Sequence, residues 1–387
     1  MKIGIAGAGI AGLAAAALLA RQGQDVTVYD QFPEPRPVGS GLMIQPVGLA
    51  ILDQIGCAEA IVQAASLVTR ILGKTATDRT VLDVRYGDLR DGLAGLAIQR
   101  AVLFEELLRA ATAAGAELVP GTTITAADIG NSEAHLVAGE RRLGPFDLIL
   151  DALGAYSPLC PRPSSPLTYG ALWALLDWVE TPGLAPDRLE QRYRRAAQMV
   201  GVLPVGRRPG EADKLTFFWS LRGQDHARWM ATPIATWKDE VRALWPDTAT
   251  VLDQITDHDD LIFAQYTHHT IRRPGRGRIA HLGDSFHANS PQLGQGANMG
   301  LLDAAALAKA VAAHPDPADA TEAYGRARRW HVWLYQSAGW LFTPLYQSDS
   351  RVLPWIRDWL AAPAAGVPPA PRVLAKLVAG ELVRTGA

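Results

Sequence analysis

Cysteine is scarce in this chain of 387 residues, which contains only Cys57 and Cys160. Two widely separated cysteines provide neither a disulfide framework nor a CxxC site, and this usage is typical of a reducing compartment. An excess of charge of one sign is also lacking, because 37 basic side chains oppose 39 acidic ones and the net charge is −2. The overall field therefore favours neither nucleic acid nor an anionic membrane as a partner.

Long, strongly apolar runs are missing as well. Residues 1–20 begin with one lysine and an uncharged stretch, but four glycines between Gly4 and Gly12 interrupt it. A signal peptide or a membrane span needs a continuous apolar helix, so we expect this segment to be folded and the protein to be cytoplasmic, without stable membrane insertion. GxSxG, HExxH and P-loop patterns are absent, and the histidines lack a metal-ligand spacing, so no metal site is predicted.

The first segment has the pattern of a dinucleotide-binding βαβ unit. A buried strand is predicted at Lys2–Ala6, and the turn GAGIAG, with Gly7, Gly9 and Gly12, leads into a helix. Asp30 follows the next strand eighteen positions after Gly12, where a carboxylate is able to bond an adenosine ribose. These residues are predicted to bind a dinucleotide, and the segment alone leaves FAD and NAD as alternatives.

A second ligand-binding pattern occupies residues 278–304, RIAHLGDSFHANSPQLGQGANMGLLDA. A short apolar strand ends in a turn that carries Asp284, a carboxylate suited to a sugar-chain hydroxyl. Gly294 and Gly296 lack a Cβ atom, so their backbone is able to lie against a flat or anionic ligand. A helix beginning near Asn298 would direct its positive end at that ligand. An ordinary glycine-rich strand-to-helix loop is the alternative interpretation.

The order GD, His287, Pro291, GQGAN and DA in this stretch resembles the second FAD motif of class A flavoprotein monooxygenases, the relatives of p-hydroxybenzoate hydroxylase. The resemblance implies that Asp284 binds the ribityl chain and that Pro291 lies beside the isoalloxazine ring. Leu302 departs from the family, which has glutamate there. The residues that would line the pyrimidine edge of the flavin are Gly294, Gln295, Gly296, Ala297 and Asn298.

Two more segments agree with this family. GSGLMIQP, with Gly39 and Gly41, resembles the segment that passes over the flavin, although a plain surface loop is the alternative. Arg100 begins a predicted helix, where a cation opposes the helix dipole, so an anionic partner is expected. The family carries an FAD-contacting arginine at this point, and pairing with Glu105 is the alternative for Arg100.

The stretch FDLILDALGAYSPLC, at 146–160, occupies the place of the family's GADGxxSxxR segment but departs from it. Asp151 replaces the first glycine, Leu153 replaces the aspartate of the Asp-Gly pair, and Cys160 replaces the terminal arginine. In the family that pair supports the use of both FAD and NAD(P)H. The usual route of flavin reduction is therefore predicted to change while the fold is kept.

The predicted fold is α/β, with a Rossmann-like FAD-binding domain, an inserted mixed-sheet substrate domain and C-terminal helices. The FAD-binding domain is predicted at 1–67, 93–160 and 272–345, the substrate domain at 68–92 and 161–271, and the C-terminal helical segment at 346–387. Four aromatic residues on alternating strands are candidates for a flat pocket wall over the flavin, with core packing as the alternative. They are Tyr169, Trp173, Phe217 and Trp219.

The predicted function is that of an FAD-dependent monooxygenase, an oxidoreductase that uses O₂, NAD(P)H as electron donor and a small aromatic or unsaturated substrate. The resemblance implies oxygen transfer from a flavin C4a-hydroperoxide, with His287 as a candidate acid or base. A separate flavin reductase is a further candidate partner, because Leu153 replaces the aspartate. Two alternatives are a flavin oxidase or dehydrogenase reduced by its own substrate, and an NAD-dependent dehydrogenase without flavin, against which the GD stretch argues.

Overall fold

A computed structural model describes residues 1–34, 40–162 and 164–383, so Gly39 lies outside the described residues. The predicted α/β class is confirmed, and the described residues form four sheets. The strands in chain order are β1 (Lys2–Ala6), β2 (Asp25–Tyr29), β3 (Gly41–Ile44), β4 (Ser66–Val68), β5 (Arg70–Thr75), β6 (Thr80–Arg85), β7 (Gly95–Gln99), β8 (Glu117–Val119), β9 (Ala126–Ile129), β10 (Ala134–Ala138), β11 (Arg141–Phe146), β12 (Leu148–Asp151), β13 (Pro166–Asp177), β14 (Arg188–Arg194), β15 (Gln198–Gly206), β16 (Lys214–Arg222), β17 (Ile262–Thr267), β18 (Gly275–Arg276) and β19 (Ile279–His281).

The helices cover the sheets and form most of the C-terminal part of the chain. A π-helical turn, Arg357–Ala361, joins the eleventh helix to the twelfth. The helices in chain order are α1 (Ile10–Arg21), α2 (Pro46–Ile55), α3 (Ala58–Ala64), α4 (Arg100–Ala113), α5 (His226–Ala231), α6 (Ile234–Leu244), α7 (Ala249–Leu252), α8 (Asp284–His287), α9 (Gly296–Ala313), α10 (Pro317–Tyr346), α11 (Leu353–Ile356), α12 (Ala362–Ala365) and α13 (Ala370–Ala379).

The first sheet has the strand order β18-β19-β12-β1-β2-β8, and all neighbours except β18 and β19 run parallel. Strands β1 and β12 are apolar along most of their length because both faces of a parallel sheet are covered, and α1, α4 and α9 contribute to the same core. The turns after β1, β12 and β19 meet at the carboxyl edge of this sheet, where open α/β sheets bind their ligands.

A mixed sheet of seven strands, ordered β17-β13-β16-β15-β14-β5-β6, forms the second layer. Its strands come from residues 70–85 and 166–267, and the domain boundaries given above stay predictions. Helices α5, α6 and α7 cover one face of this sheet. The other face packs against β3, β7 and α13, so this inner face is directed at the first sheet and its ligand edge.

The C-terminal helix α13 packs on β6 rather than standing apart from the fold. Its buried residues Ala375 and Val378 join a core with Val81 and Val84 of β6. The amide of Gln295 donates a hydrogen bond of 2.6 Å to the carbonyl of Val378, which ties α13 to the glycine loop. Among the described residues, none of the helices has the length and apolar character needed to cross a bilayer.

Candidate flavin site

The glycines of the first turn lie where side chains would collide with the backbone. Gly7 has a φ of +102°, and a Cβ there would lie 2.4 Å from the carbonyl oxygen of Ala152. A Cβ on Gly12 would lie 2.0 Å from the carbonyl oxygen of Gly7. Gly9 is the N-cap of α1 and has open space where its Cβ would be. The amino end of α1 is therefore accessible to an anion such as a diphosphate.

Asp30 is held at the edge of this turn by the backbone. Its Oδ2 accepts the amide N–H of Ala8 at 2.9 Å, and its Oδ1 accepts that of Phe32 at 3.0 Å. A carboxylate has about four acceptor positions, so the two backbone bonds orient Asp30 and leave acceptor positions for a ribose hydroxyl. The ribose contact predicted from the sequence fits this geometry.

Asp284 is exposed although the residues around it in the chain are buried. It follows Gly283, whose φ of +60° turns the chain at the end of β19. Arg100, the first residue of α4, is also exposed to water in a recess enclosed by protein. Burial in this recess lowers the pKa of Arg100, whereas the charge of Asp284 raises it. Glu105 pairs instead with Arg208 at 2.6 Å, so the two charges at the recess are available to a ligand.

The glycine loop leads into the amino end of α9. Gly294 adopts a left-handed conformation with a φ of +61°, and Gly296, which begins α9, has open space where a Cβ would be. The helix thus starts two residues earlier than the sequence predicts and contains 18 residues. Its free amide groups and positive dipole end stabilise an anionic or electron-rich ligand edge. Pro291 is exposed beside this loop and Ala297 is partly exposed.

The side chains of Gln295 and Asn298 do not point to a ligand. Asn298 is fully buried. Its Oδ1 accepts the amide of Gln45 at 2.8 Å, and its Nδ2 donates to the carbonyl of Met43 at 3.1 Å. Gln295 is bound to Val378, as described above. The prediction that these two side chains line the flavin is therefore corrected: both fix neighbouring segments, which leaves only their backbone to face a cofactor.

Gly41 packs closely against the second sheet. A Cβ there would lie 2.4 Å from Val205 Cγ1 and from Thr216 Oγ1. The lack of a side chain at Gly41 is thus explained by the approach of β3 to β15 and β16, and a contact with flavin stays a prediction. Gly39, its partner in the sequence motif, lies outside the described residues.

His287 belongs to a buried ionic cluster beneath the glycine loop. Its Nε2 lies 2.6 Å from Oδ2 of Asp303, and Arg328 Nε donates to Oδ1 of Asp303 at 2.7 Å. Oδ2 of Asp303 also accepts the amide of Gly283 at 2.8 Å. Burial would raise the pKa of Asp303, but the charges and hydrogen bonds of His287 and Arg328 hold it below its usual range. His287 is 3% exposed, so its assignment as a catalytic acid or base is corrected to a structural role.

The sequence offers a signal for this cluster that the prediction missed. Asp303 stands within the apolar run MGLLDAAALA, and a charge in the middle of a buried helix face requires a buried partner. The partner Arg328 lies 25 positions away in α10, and no local spacing identifies it. Leu302, the departure beside Asp303, is buried in the core of the first sheet.

These features fit FAD. The two glycine turns permit close backbone approach, the amino ends of α1 and α9 offer positive dipoles to a diphosphate and to a flavin edge, and Asp30 and Asp284 offer carboxylates to the hydroxyls of the two sugar-like parts. Residues 1–142 and 181–336, more than half of the chain, match the protein-family model described as FAD binding domain. The chain belongs to this FAD-binding family.

Relatives agree on the reaction class of this flavoprotein. Kynurenine 3-monooxygenase of Salinispora tropica is 29% identical over 365 residues, which cover 86% of this chain and 77% of that protein. A probable 2-heptyl-3-hydroxy-4(1H)-quinolone synthase of Rhodococcus erythropolis is 26% identical over 343 residues, which cover 84% of this chain and 83% of that protein. Klebsiella pneumoniae HpxO complexed with FAD and uric acid has the same fold, with a TM-score of 0.81 at 19% identity over 98% of this chain and 97% of that structure. The flavoprotein is an FAD-dependent monooxygenase, as predicted.

The departures in the stretch at 146–160 form a connected group in the flavoprotein. Both carboxylate oxygens of Asp151 accept from the hydroxyl of Ser157 at 2.8 Å, and Oδ2 lies 2.7 Å from Nδ1 of His281. Oδ1 also accepts the amide N–H of Leu153 at 3.1 Å. Asp151 thus holds the turn that supports Gly7, while the Leu153 side chain packs with Leu159 against an apolar cluster. Sequence analysis recognised the substitutions but missed the Asp151–His281 pair.

The four aromatic candidates divide between the two faces of the seven-stranded sheet. Trp173 pairs with Phe218 across β13 and β16 and lies with Tyr169 on the inner face. Phe217 and Trp219 are 0% and 3% exposed and pack under α5, α6 and α7 on the other face. The predicted pocket wall is therefore corrected: Phe217 and Trp219 are core residues, because successive side chains of a strand point to opposite faces.

The flavin loop is connected to the inner face by hydrogen bonds. Gln292 Nε2 lies 3.4 Å from Oε1 of Gln347, whose Nε2 donates to the carbonyl of Gly170 at 3.1 Å. The neighbouring Tyr169 donates its hydroxyl to Asp349 at 2.5 Å, and Asp349 also forms an ion pair with Arg222. The loop that carries Pro291 and the strand that carries Tyr169 and Trp173 are thus parts of one connected assembly.

Proposed function

We propose that the substrate of this monooxygenase is a small planar aromatic molecule that lies between the Pro291 loop and the inner face of the seven-stranded sheet. The observation that carries this proposal is the connection from Gln292 through Gln347 to Gly170, which holds the flavin loop next to the strand of Tyr169 and Trp173. Half-buried Trp173 offers a flat apolar surface, and Tyr169, Asp349 and Arg222 offer polar groups beside it. An apolar wall with a few polar groups is typical of small-molecule sites.

The names of the relatives support a ring-bearing substrate. They include a quinolone synthase and kynurenine 3-monooxygenase, and structures of the same fold hold uric acid or 2-aminobenzoylacetate. Bound FAD supplies the redox chemistry and the reaction with O₂. The chain binds and orients both partners, excludes water through the apolar inner face, and places the amino end of α9 at the electron-rich edge of the ring system.

We also propose that NAD(P)H reduces this enzyme less directly than a family member with the Asp-Gly pair. The side chain of Leu153 lies in an apolar cluster and accepts no hydrogen bond, and the nearby carboxylate of Asp151 is buried and already bound to Ser157 and His281. Loss of a carboxylate contact costs about 1 to 3 kcal/mol, which is roughly five- to a hundredfold in affinity or rate. A separate flavin reductase would supply the electrons by another route.

The test combines product analysis with anaerobic reduction. The holoenzyme is supplied with ¹⁸O₂, NADPH or NADH, and a panel of aromatic acids and N-heterocycles, and the expected product carries one ¹⁸O atom. Bleaching of the flavin band is then followed with NADPH, NADH or substrate alone, and with each nucleotide together with substrate. Rapid bleaching by micromolar NADPH alone would contradict the Leu153 proposal. Bleaching by substrate alone, with no ¹⁸O in the product, would contradict the proposed oxygenation of that substrate.

A further inference from the structure

The C-terminal part of the chain exposes an unusually large number of tryptophans. They lie on the C-terminal half of α10 and on residues 351–373, where α11 packs against α10. Scattered apolar side chains are normal on a protein surface, but a set this rich in large side chains marks an interaction site. We call the set the Trp face, and its members are Trp330, Trp333, Trp340, Leu341, Val352, Trp355, Trp359, Leu360, Val367 and Val373.

The charges within the Trp face are of one sign. Residues 330–373 contain two acids, Asp349 and Asp358, and both are paired with arginines. Arg351 and Arg372 are exposed, and within the described residues no acid forms an ion pair with either of them. A third arginine, Arg79, lies over the ring of Trp359, 3.6 Å from its centroid. The face is therefore both apolar and locally basic, although the whole chain has a net charge of −2.

From these observations we infer that the Trp face binds the surface of an anionic lipid bilayer. Tryptophan prefers the boundary between the acyl chains and the head groups, because its ring is apolar and its N–H is polar. Exposed arginines are attracted to anionic head groups. Because none of the described helices is able to span a bilayer, the contact is a peripheral one in which the helices lie in the plane of the interface.

A second copy of the chain fits this face less well than a lipid surface does. In a symmetric dimer the same patch lies on both subunits, so the exposed arginines of one copy would meet an equally basic surface. The two acids of the segment are occupied by Arg222 and Arg357 and are not free to pair across the interface. An anionic bilayer offers the opposite charge and an apolar layer at once.

Vesicle binding by the holoenzyme tests this inference. We expect co-sedimentation with vesicles of phosphatidylglycerol and phosphatidylcholine, a blue shift of tryptophan emission, and partial release by salt. The double variant Trp340→Ser and Trp355→Ser should lower the partition coefficient about tenfold, because it removes two large apolar side chains from the contact. Arg351→Gln should lower it about fivefold.

The matched control is the double variant Leu67→Ser and Ile262→Ser. These residues are 58% and 55% exposed, similar to the 56% of Trp355, but they lie outside the Trp face, so vesicle binding should not change. Circular dichroism and FAD content verify that each variant is folded. Equal binding to phosphatidylcholine alone, binding that the tryptophan variant leaves unchanged, or no binding would overturn the inference. So would a dimer that the tryptophan variant dissociates while vesicles bind neither protein, which would make the face a subunit interface.

Discussion

The recess at Asp284 and the ionic cluster around Asp303 use similar residues in opposite surroundings. Asp284 and Arg100 are exposed, and each lacks an ion-pair partner among the described residues. Asp303 lies 19 positions further along the chain, is completely buried, and accepts hydrogen bonds from His287, Arg328 and the amide of Gly283. A site for a charged ligand must leave some charges unpaired, and a support beneath it must leave none, because an unpaired buried charge is costly.

The largest expected effect follows from breaking the buried cluster. Asp303→Asn leaves the guanidinium of Arg328 buried without its counter-charge, so the free energy of unfolding should fall by about 3 to 5 kcal/mol. Urea denaturation of the apoprotein measures this change without a contribution from FAD. Asp284→Asn is the matched control and should leave the stability of the apoprotein nearly unchanged. A loss for Asp303→Asn of only about 0.5 kcal/mol, typical of a surface substitution, would contradict the contrast between the two carboxylates.

The two faces of the seven-stranded sheet extend the same contrast to aromatic residues. Trp219→Ala should lower the free energy of unfolding by about 3 to 5 kcal/mol, because it opens a cavity among Phe217, Trp229 and Trp237. Trp173→Ala removes a half-buried ring on the inner face and should chiefly alter turnover or the fraction of NAD(P)H oxidation coupled to product. Denaturation and product yield are measured for both variants. Equal stability losses with unchanged yield for Trp173→Ala would place it in the core as well.

The recess itself is probed by FAD affinity. Asp284→Ala and Arg100→Ala should each weaken FAD binding about ten- to a hundredfold, because each removes a charge-assisted hydrogen bond of about 1.5 to 3 kcal/mol. Fluorescence titration of the apoprotein gives the dissociation constants. Glu105→Ala is the control, since Glu105 pairs with Arg208, and it should bind FAD like the parent. If Asp284→Ala and Arg100→Ala also retained the affinity of the parent, their assignment to the flavin would be wrong.

The parts of the site that the sequence predicts are those set by the backbone. Gly7, Gly9 and Gly12 have conformations or contacts that local spacing implies, and an acid after a strand is placed at the sheet edge by the chain direction alone. The directions of Gln295 and Asn298 depend instead on Val378, Met43 and Gln45, which lie far away in the sequence. Such long-range partners leave no periodic signal in the loop itself.

The aromatic strands show the same limit in another form. Alternation predicts that Phe217 and Trp219 share one face and that Tyr169 and Trp173 share one face. It does not tell whether these faces are the same, because that depends on register. The observed pairing places Trp173 opposite Phe218, and a shift of one residue would exchange the two faces of β16. Register is set by packing over both sheets, so local sequence left the choice open.

The smallest expected effect is a pH dependence that arises in the buried cluster. Burial and the charge of Arg328 lower the pKa of His331 from 6.5 to about 3. The unfolded chain therefore binds a proton below about pH 6.5 that the folded chain refuses, so folding stability is fully present above that pH and falls as the solution is acidified toward pH 3. Between pH 7 and pH 5 the loss should be about 1 to 2 kcal/mol.

His331→Gln isolates this contribution. Nδ1 of His331 lies 3.0 Å from Nη1 of Arg328, and the glutamine oxygen is able to accept the same hydrogen bond without titrating. Denaturant unfolding of parent and variant at pH 7 and pH 5 should therefore show a smaller acid-induced loss for the variant. The depressed pKa of Asp303 does not interfere, because its contribution is lost only as the pH falls below about 4. Equal losses in both proteins would mean that His331 takes up a proton in the folded state as readily as in the unfolded chain.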